Sequence, residues 1–203
     1  MAEKILVEVF KKKTAEELSQ ALADPDSRLE TGSGSAITAS LAAALMCRAA
    51  AITARKPEGN ERLDYICRNG EILRSYMVHL IDEDVKSRGP LNRALKEGEP
   101  RAIEAARQPA SAIPAEIVNM MGKLLELVRE LCPLCPKKAA HYLAESTELA
   151  LAAAASARDF ILDMSSYCSD ETYRFVTRRE NQLLMEQLES CARDIRAQLN
   201  ENN

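Results

Sequence analysis

Two stretches that consist mostly of alanine constrain the fold of this chain more than any other feature. Residues 36–54 and 150–157 contain no glycine or proline, and alanine is the commonest residue in both. Alanine is the strongest helix former and is depleted in strands. Its small side chain also lets neighbouring helices approach closely. Both stretches therefore predict long helices in close contact.

The remaining sequence fits an all-α fold. The 7 glycines and 8 prolines are few and localised, whereas a β-rich fold needs frequent turn residues. Residues 1–203 are predicted to form a single domain, an up-and-down-type bundle of about six helices, several of them long and alanine-rich. A short helix begins at Thr14 and ends near Pro25, and broken helical turns are predicted over 91–114. The other predicted helices cover about 35–55, 60–88, 114–132, 137–165 and 170–199.

Charge and hydropathy argue against several classes of partner. The chain carries 27 Lys+Arg against 31 Asp+Glu and has no basic block, so no nucleic-acid partner is expected. The apolar segment 36–54 contains Arg48, which is costly at the centre of a bilayer, and no membrane span is expected. The apolar run 5–10 is too short for a secretion signal, and six cysteines without such a signal favour a cytoplasmic protein.

One carboxylate interrupts an apolar stripe on the third helix. Steps of three and four residues continue that stripe to Asp84 and then to Arg88. A buried carboxylate is costly unless it is paired or hydrogen-bonded, which makes Asp84 a functional-site candidate. The alternative is structural, an Asp84–Arg88 pair beside an Asp82–Lys86 pair. The stripe consists of Leu63, Ile66, Cys67, Leu73, Met77, Leu80 and Ile81.

A glycine- and serine-rich segment precedes the long alanine-rich helix. It comprises Gly32, Ser33, Gly34 and Ser35, directly after Thr31. Glycines permit close backbone approach, and the N–H groups of a first helical turn bind anions and polar groups. The segment is therefore a candidate binding loop. A loop and helix cap without a ligand explains the same residues.

The CxxC pair is a third candidate site. Cys132 and Cys135 are followed by His141, Glu145 and Glu148 on the next helix. No second CxxC accompanies them, and no strand precedes them as in thioredoxin-like sites. Prolines that bracket an interhelical turn explain these residues, and no metal is predicted.

His79 lies one turn before Asp82 and Glu83 on the third helix. An imidazole within reach of two carboxylates can act as a general acid or base. An exposed helix residue is the simpler interpretation. No phosphate-binding loop, dinucleotide fingerprint or nucleophile elbow occurs in the sequence, so kinase, Rossmann and common hydrolase functions have no support.

The order of four segments resembles the cyclodeaminase/cyclohydrolase family. That family comprises the helical C-terminal half of formiminotransferase-cyclodeaminase and stand-alone bacterial relatives, including methenyltetrahydrofolate cyclohydrolases. The resemblance spans roughly residues 14–170. It rests on the loop TGSGSA at 31–36, the acidic segment IDEDV at 81–85, the helix AIPAEIV at 112–118, and the alanine-rich segment 150–158.

The resemblance implies a folate one-carbon enzyme, either a methenyltetrahydrofolate cyclohydrolase or a formiminotetrahydrofolate cyclodeaminase. Its substrate would be a tetrahydrofolate derivative, it would need no metal or bound cofactor, and it would form a homodimer. Asp84, with Asp82 second, would be the catalytic carboxylate that stabilises a cationic carbon and transfers a proton. Substrate contacts would come from Gly32, Ser33, Gly34, Ser35, Lys138 and Arg158.

The sequence departs from the family pattern at three places, of which the last two favour a second hypothesis. Ser33 replaces a loop glycine, Gly89 and Pro90 break the helix after the acidic segment, and Lys137 and Lys138 replace a Ser-Asp-Ala-Gly type turn. The alternative function is a non-catalytic helical binding or interaction protein that retains the family scaffold. A cysteine-based metal or redox protein is the third hypothesis.

Overall fold

A computed structural model describes residues 9–55 and 60–201. Within these residues the chain is all-α, without strands, as predicted. A 3-10 helix, η1 (Phe10–Lys12), precedes eight α-helices: α1 (Ala15–Ala23), α2 (Thr31–Thr53), α3 (Glu61–Ser87), α4 (Gly89–Glu97), α5 (Pro100–Ala110), α6 (Ala112–Leu131), α7 (Lys137–Ser166) and α8 (Glu171–Glu201).

The long helices confirm the predicted bundle, and the segment predicted as broken turns is ordered. Residues 91–114 lie mainly in α4 and α5, two short helices that begin at Gly89-Pro90 and Glu99-Pro100. Proline suits a first helical turn because its missing N–H would have no intrahelical partner there. Gly98 separates the two helices with a positive φ of 73°. The prolines therefore start helices here as well as interrupting them.

Helix α2 is the centre of the bundle and packs mainly against α7 and α3. Both neighbours run antiparallel to it. On the α7 side, the Ser146 hydroxyl donates to the Ala42 carbonyl at 2.8 Å, and Arg48 stacks on Tyr142. Six alanines of α2 are fully buried, which permits this close packing: Ala36, Ala39, Ala42, Ala43, Ala49 and Ala50.

By length and composition alone, α2 is the one helix among the described residues that could cross a membrane. A core helix of a bundle has the same properties. Here α2 is enclosed by α3, α6 and α7, and it contributes to a hydrophobic cluster that extends from Phe10 to Leu199.

Helix α2 begins at Thr31, four residues earlier than predicted. The Gly34 N–H donates to the Glu30 carbonyl at 2.9 Å, and the Ser35 hydroxyl donates to the Thr31 carbonyl at 2.9 Å. The segment predicted as a loop is therefore the first turn of the helix. The Asp84 carboxylate near the free N–H groups of this turn stabilises a helix start that glycine disfavours.

Candidate functional site

Asp84 lies near the end of α3, against the first turn of α2. Its side chain is 0% exposed, which confirms the predicted burial. The Ser33 hydroxyl donates to Asp84 Oδ2 at 2.8 Å and also lies 3.3 Å from the Ile81 carbonyl. The start of one central helix therefore holds the carboxylate of its neighbour.

Gly32 makes this contact possible. A Cβ atom at this position would lie 2.1 Å from Asp84 Oδ1 and 2.5 Å from its Cγ, well inside van der Waals contact. Any larger residue would displace either the carboxylate or the helix start. The positive end of the α2 dipole lies here, and it favours a negative charge.

Opposing effects set the protonation of Asp84. Burial raises the pKa of its carboxyl above the ordinary value, and this is the largest effect. The Ser33 hydroxyl and the charge of Arg88 lower that pKa, whereas the charge of Glu30 raises it. The net shift is upward. A carboxyl with a raised pKa gives and takes protons more readily near neutral pH.

Arg88 follows α3 and is also buried. Its side chain is 9% exposed, forms an ion pair with Glu30, and stacks on Phe160 of α7 at 4.6 Å from the ring centroid. The alternative Asp84–Arg88 pair does not form, because Glu30 takes the guanidinium. Among the described residues, Asp84 Oδ1 and Arg88 Nε and Nη1 have no hydrogen-bond partner.

Asp82 is also buried but has a different set of partners. It accepts hydrogen bonds from the Phe10 N–H at 2.7 Å and the Lys11 N–H at 3.3 Å, and Lys11 Nζ lies at 3.8 Å. This carboxylate caps η1 and fixes it on α3. The alternative Asp82–Lys86 pair is also replaced, since Lys86 bonds to Glu83 at 2.7 Å.

A surface groove of about 690 Å³ lies beside the α2 start. Gly34 and Thr31 line it, whereas Gly32 and Ser33 contact Asp84 and Ser35 bonds within the helix. The structure thus divides the predicted binding segment between the groove and the buried carboxylate. The other lining residues come from α1, the α1–α2 connection and α7: Leu22, Asp24, Pro25, Ser27, Leu29, Glu30 and Ser156.

The two basic residues predicted to bind substrate lie in different places on α7. Arg158 follows Ser156 by two residues on α7 but is not among the residues that line the groove, and it hydrogen-bonds to Asp159 at 2.6 and 2.9 Å. Lys138 is exposed in the first turn of α7. Since a helix rises ~1.5 Å per residue, Lys138 lies about 27 Å along the helix from Ser156. The fold therefore does not bring Lys138 to this site.

The cysteine and histidine candidates lie outside this site. No three His, Cys, Asp or Glu side chains in the described ranges are grouped as metal ligands. Burial raises the pKa of Cys132 to about 12, so it is a thiol at neutral pH. His79 is half exposed and lies 3.6 Å from Glu83. It matches the interpretation as a surface residue.

Sequence reasoning missed Glu30 and Phe160, which hold Arg88 in place. Glu30 precedes the glycine-rich segment, and its position next to a candidate binding segment was the available signal. Phe160 had no comparable signal. Its contact with Arg88 depends on how α7 packs beside α3 and α2.

Comparison with known proteins is consistent with the geometry. The family model described as formiminotransferase-cyclodeaminase matches residues 14–182. Formiminotetrahydrofolate cyclodeaminase from Thermotoga maritima has a similar fold, with a TM-score of 0.85 and 20% sequence identity, over 94% of this chain and 98% of that one. A search of curated proteins gave no match. The family match covers most of the sequence, and the chain belongs to the formiminotransferase-cyclodeaminase family.

Proposed function

We propose that this chain is a folate one-carbon enzyme in which Asp84 transfers the proton. The observation that carries the proposal is the Asp84 carboxylate, fully buried beneath Gly32 and bonded to Ser33. A helix start with a glycine at the contact point and a buried acid behind it is a costly arrangement. A role for Asp84 in proton transfer explains why the fold keeps this arrangement. The cyclodeaminase in the structural comparison supports a tetrahydrofolate derivative as substrate.

The charges suit a substrate with a cationic one-carbon group. The groove beside the α2 start is lined by Asp24 and Glu30, and its lining residues include no lysine or arginine. A methenyl group bridging two ring nitrogens is a cation, and a formimino group is protonated near neutral pH. Carboxylates attract both groups and stabilise positive charge during reaction. The groove would bind the substrate through Thr31, whose N–H belongs to the first turn of α2 and has no intrahelical partner.

The same carboxylate serves either reaction. In cyclohydrolysis, water adds to the methenyl carbon and one C–N bond breaks, so a base takes a proton and returns it to nitrogen. In cyclodeamination, the second substrate nitrogen attacks the formimino carbon and gives up its proton, and the amino group leaves as ammonia after it gains one. Asp84 would provide the transfer in both cases, without a metal or a bound cofactor.

Access to Asp84 requires a local movement. The carboxylate is 0% exposed, and the groove lies along the face of the α2 start that carries Thr31 and Gly34. Glu30 connects the groove with the buried residues of α3, since it lines the groove and pairs with Arg88. We infer that a small shift of the Glu30 side chain, with its ion pair to Arg88 kept, opens the path from the groove to Asp84.

We also propose that the chain acts in the cytoplasm as a homodimer, without nucleic-acid or membrane partners. Phe175, Val176 and Leu183 of α8 are 71%, 42% and 41% exposed, and such apolar residues are suited to an interface. Light scattering on the purified chain would test the oligomeric state. A mass of one chain at micromolar concentration would contradict the dimer.

Two assays with purified protein test the proposed function. One follows the absorbance of methenyltetrahydrofolate, and the other follows ammonia release from formiminotetrahydrofolate. We expect one of the two reactions to be accelerated, and Asp84→Ala to remove most of that acceleration. Asp64→Ala, an exposed acid in the first turn of the same helix, is the control and should retain it. Binding of the folate without turnover would favour the non-catalytic alternative, and no acceleration of either reaction contradicts the enzyme.

A further inference from the structure

The unpaired atoms around Asp84 form a complementary set. Asp84 Oδ1 is an acceptor, and Arg88 Nε and Nη1 are donors; all three are buried without a partner among the described residues. A buried polar atom left unpaired costs roughly 1–3 kcal/mol. Three such atoms on residues one helical turn apart point to a small molecule that bonds to them.

The two residues are placed to share such a molecule. The backbone N–H of Arg88 donates to the backbone carbonyl of Asp84 at 3.1 Å, which is the ordinary helical bond. The two side chains are therefore one turn apart on the same face of the helix. They do not form an ion pair, because Arg88 pairs with Glu30 and stacks on Phe160. The Asp84 carboxylate and the Arg88 guanidinium thus lie one turn apart without an ion pair between them.

We propose that Asp84 and Arg88 together bind one water molecule, and that this water is the co-reactant, which makes the chain a cyclohydrolase. The inference rests on the proposed function and selects one of its two reactions. Water donates to a carboxylate and accepts from a guanidinium at the same time, and buried waters have two to four such partners. In cyclodeamination the departing group is a protonated amine, which has only donors and a positive charge until its C–N bond breaks, so the unpaired N–H groups of Arg88 do not suit it.

The net charge of Glu30, Asp84 and Arg88 agrees with a cationic methenyl substrate. Glu30 and Asp84 provide two carboxylates against the one guanidinium of Arg88, which leaves one negative charge in excess. A methenyl cation carries one positive charge and balances it. Glu30 therefore keeps Arg88 from repelling the substrate, while Nε and Nη1 of Arg88 stay available.

The reaction balances with these groups. The water oxygen forms a bond to the methenyl carbon, its proton passes to Asp84, and the C=N π electrons move to nitrogen. In the neutral adduct, Asp84 returns the proton to the ring nitrogen as the C–N bond breaks. The remaining O–H electrons form the formyl C=O, and its proton leaves to solvent. Arg88 hydrogen-bonds to the oxygen throughout.

The experiment compares wild type, Arg88→Lys and Arg88→Met in both assays. We expect wild type to hydrolyse methenyltetrahydrofolate without releasing ammonia from formiminotetrahydrofolate. Arg88→Met should lower kcat about 100-fold and Arg88→Lys about 10-fold, with KM changed less than about threefold, as for lost donors to a reacting oxygen. Thermal unfolding of the variants shows whether they remain folded.

Wild-type protein alone keeps the proposal testable if the variants unfold. A crystal structure that resolves ordered waters should show one within hydrogen-bonding distance of Asp84 Oδ1 and Arg88 Nε or Nη1, and its absence would overturn the inference. Ammonia release without hydrolysis, or folded Arg88 variants with unchanged kcat, would also overturn it while leaving a folate enzyme. A wild-type protein that catalyses neither reaction would overturn both proposals.

Discussion

The two halves of α2 use small residues for different purposes. In the middle, small residues bring apolar surfaces together, and Gly70 of α3 faces the flexible end of Met46, whose Cε would lie 2.4 Å from a Cβ. At the start, Gly32 faces the oxygen of a carboxylate held by Ser33. One glycine serves packing and the other gives a buried charge its position. Close helix packing alone therefore does not identify a functional site. The chemical group that packs against the glycine does identify one.

Alanine substitutions at Gly32 and Gly70 should have the largest effect, because they distinguish a glycine that positions Asp84 from a glycine that permits packing. Gly32→Ala should cost roughly 1–3 kcal/mol of unfolding free energy through overpacking and should lower turnover about 100-fold, because Asp84 must move. Gly70→Ala should change unfolding free energy by less than about 1 kcal/mol, since Met46 can move and alanine favours the helix. Urea unfolding and the folate assays measure both. Equal losses of turnover in the two variants would remove the distinction.

Two buried serines provide a smaller version of the same test. Ser33 and Ser146 are both 0% exposed, and each donates an interhelical hydrogen bond of 2.8 Å, to Asp84 and to the Ala42 carbonyl. We expect Ser33→Ala to cost about 1.5–3 kcal/mol, because its acceptor is a carboxylate, and Ser146→Ala about 1 kcal/mol. Turnover should fall about tenfold only in Ser33→Ala. A comparable fall in Ser146→Ala would show that packing alone determines activity.

The raised pKa of Asp84 predicts a pH-dependent stability difference. A carboxyl whose pKa is higher folded than unfolded stabilises the fold below the unfolded value, near 3.8, and loses that contribution as pH rises through the folded value. Asp84→Asn lacks this titration. Relative to that variant, the wild type should lose unfolding free energy as pH rises through this window, by about 1.4 kcal/mol for every tenfold change in the acid dissociation constant on folding. Urea unfolding across pH measures the loss, and a wild type that instead gains stability relative to Asp84→Asn as pH rises would contradict the account.

Much of the fold could be predicted from the sequence, because helix periodicity and capping are local. The stripe that led to Asp84 and the capping pair of Thr14 and Glu17 both follow from residues within a few turns. The partners of the buried acids could not be predicted in this way. Glu30 pairs with Arg88, and the Phe10 N–H donates to Asp82. Both contacts join segments that are distant in the sequence and meet at one end of the bundle.

The binding segment shows the same limit. Its composition predicted a loop, yet the segment forms the first turn of α2, with the Asp84 carboxylate of another helix against it. Lys138 fits the site when only the order of motifs is considered, but the length of α7 places it near the opposite end of α2. Helix length and the antiparallel packing of α7 on α2 decide which residues share a site.

The most direct measurement compares two acids on one helix. Asp82 and Asp84 are both buried and two residues apart, yet Asp82 caps η1 and Asp84 meets the α2 start. We predict that kcat for the folate substrate falls at least about 100-fold in Asp84→Asn, as expected for loss of a general acid–base group, and less than about fivefold in Asp82→Asn. The reverse order, or equal small losses in both, would contradict the assignment of Asp84 as the reacting group.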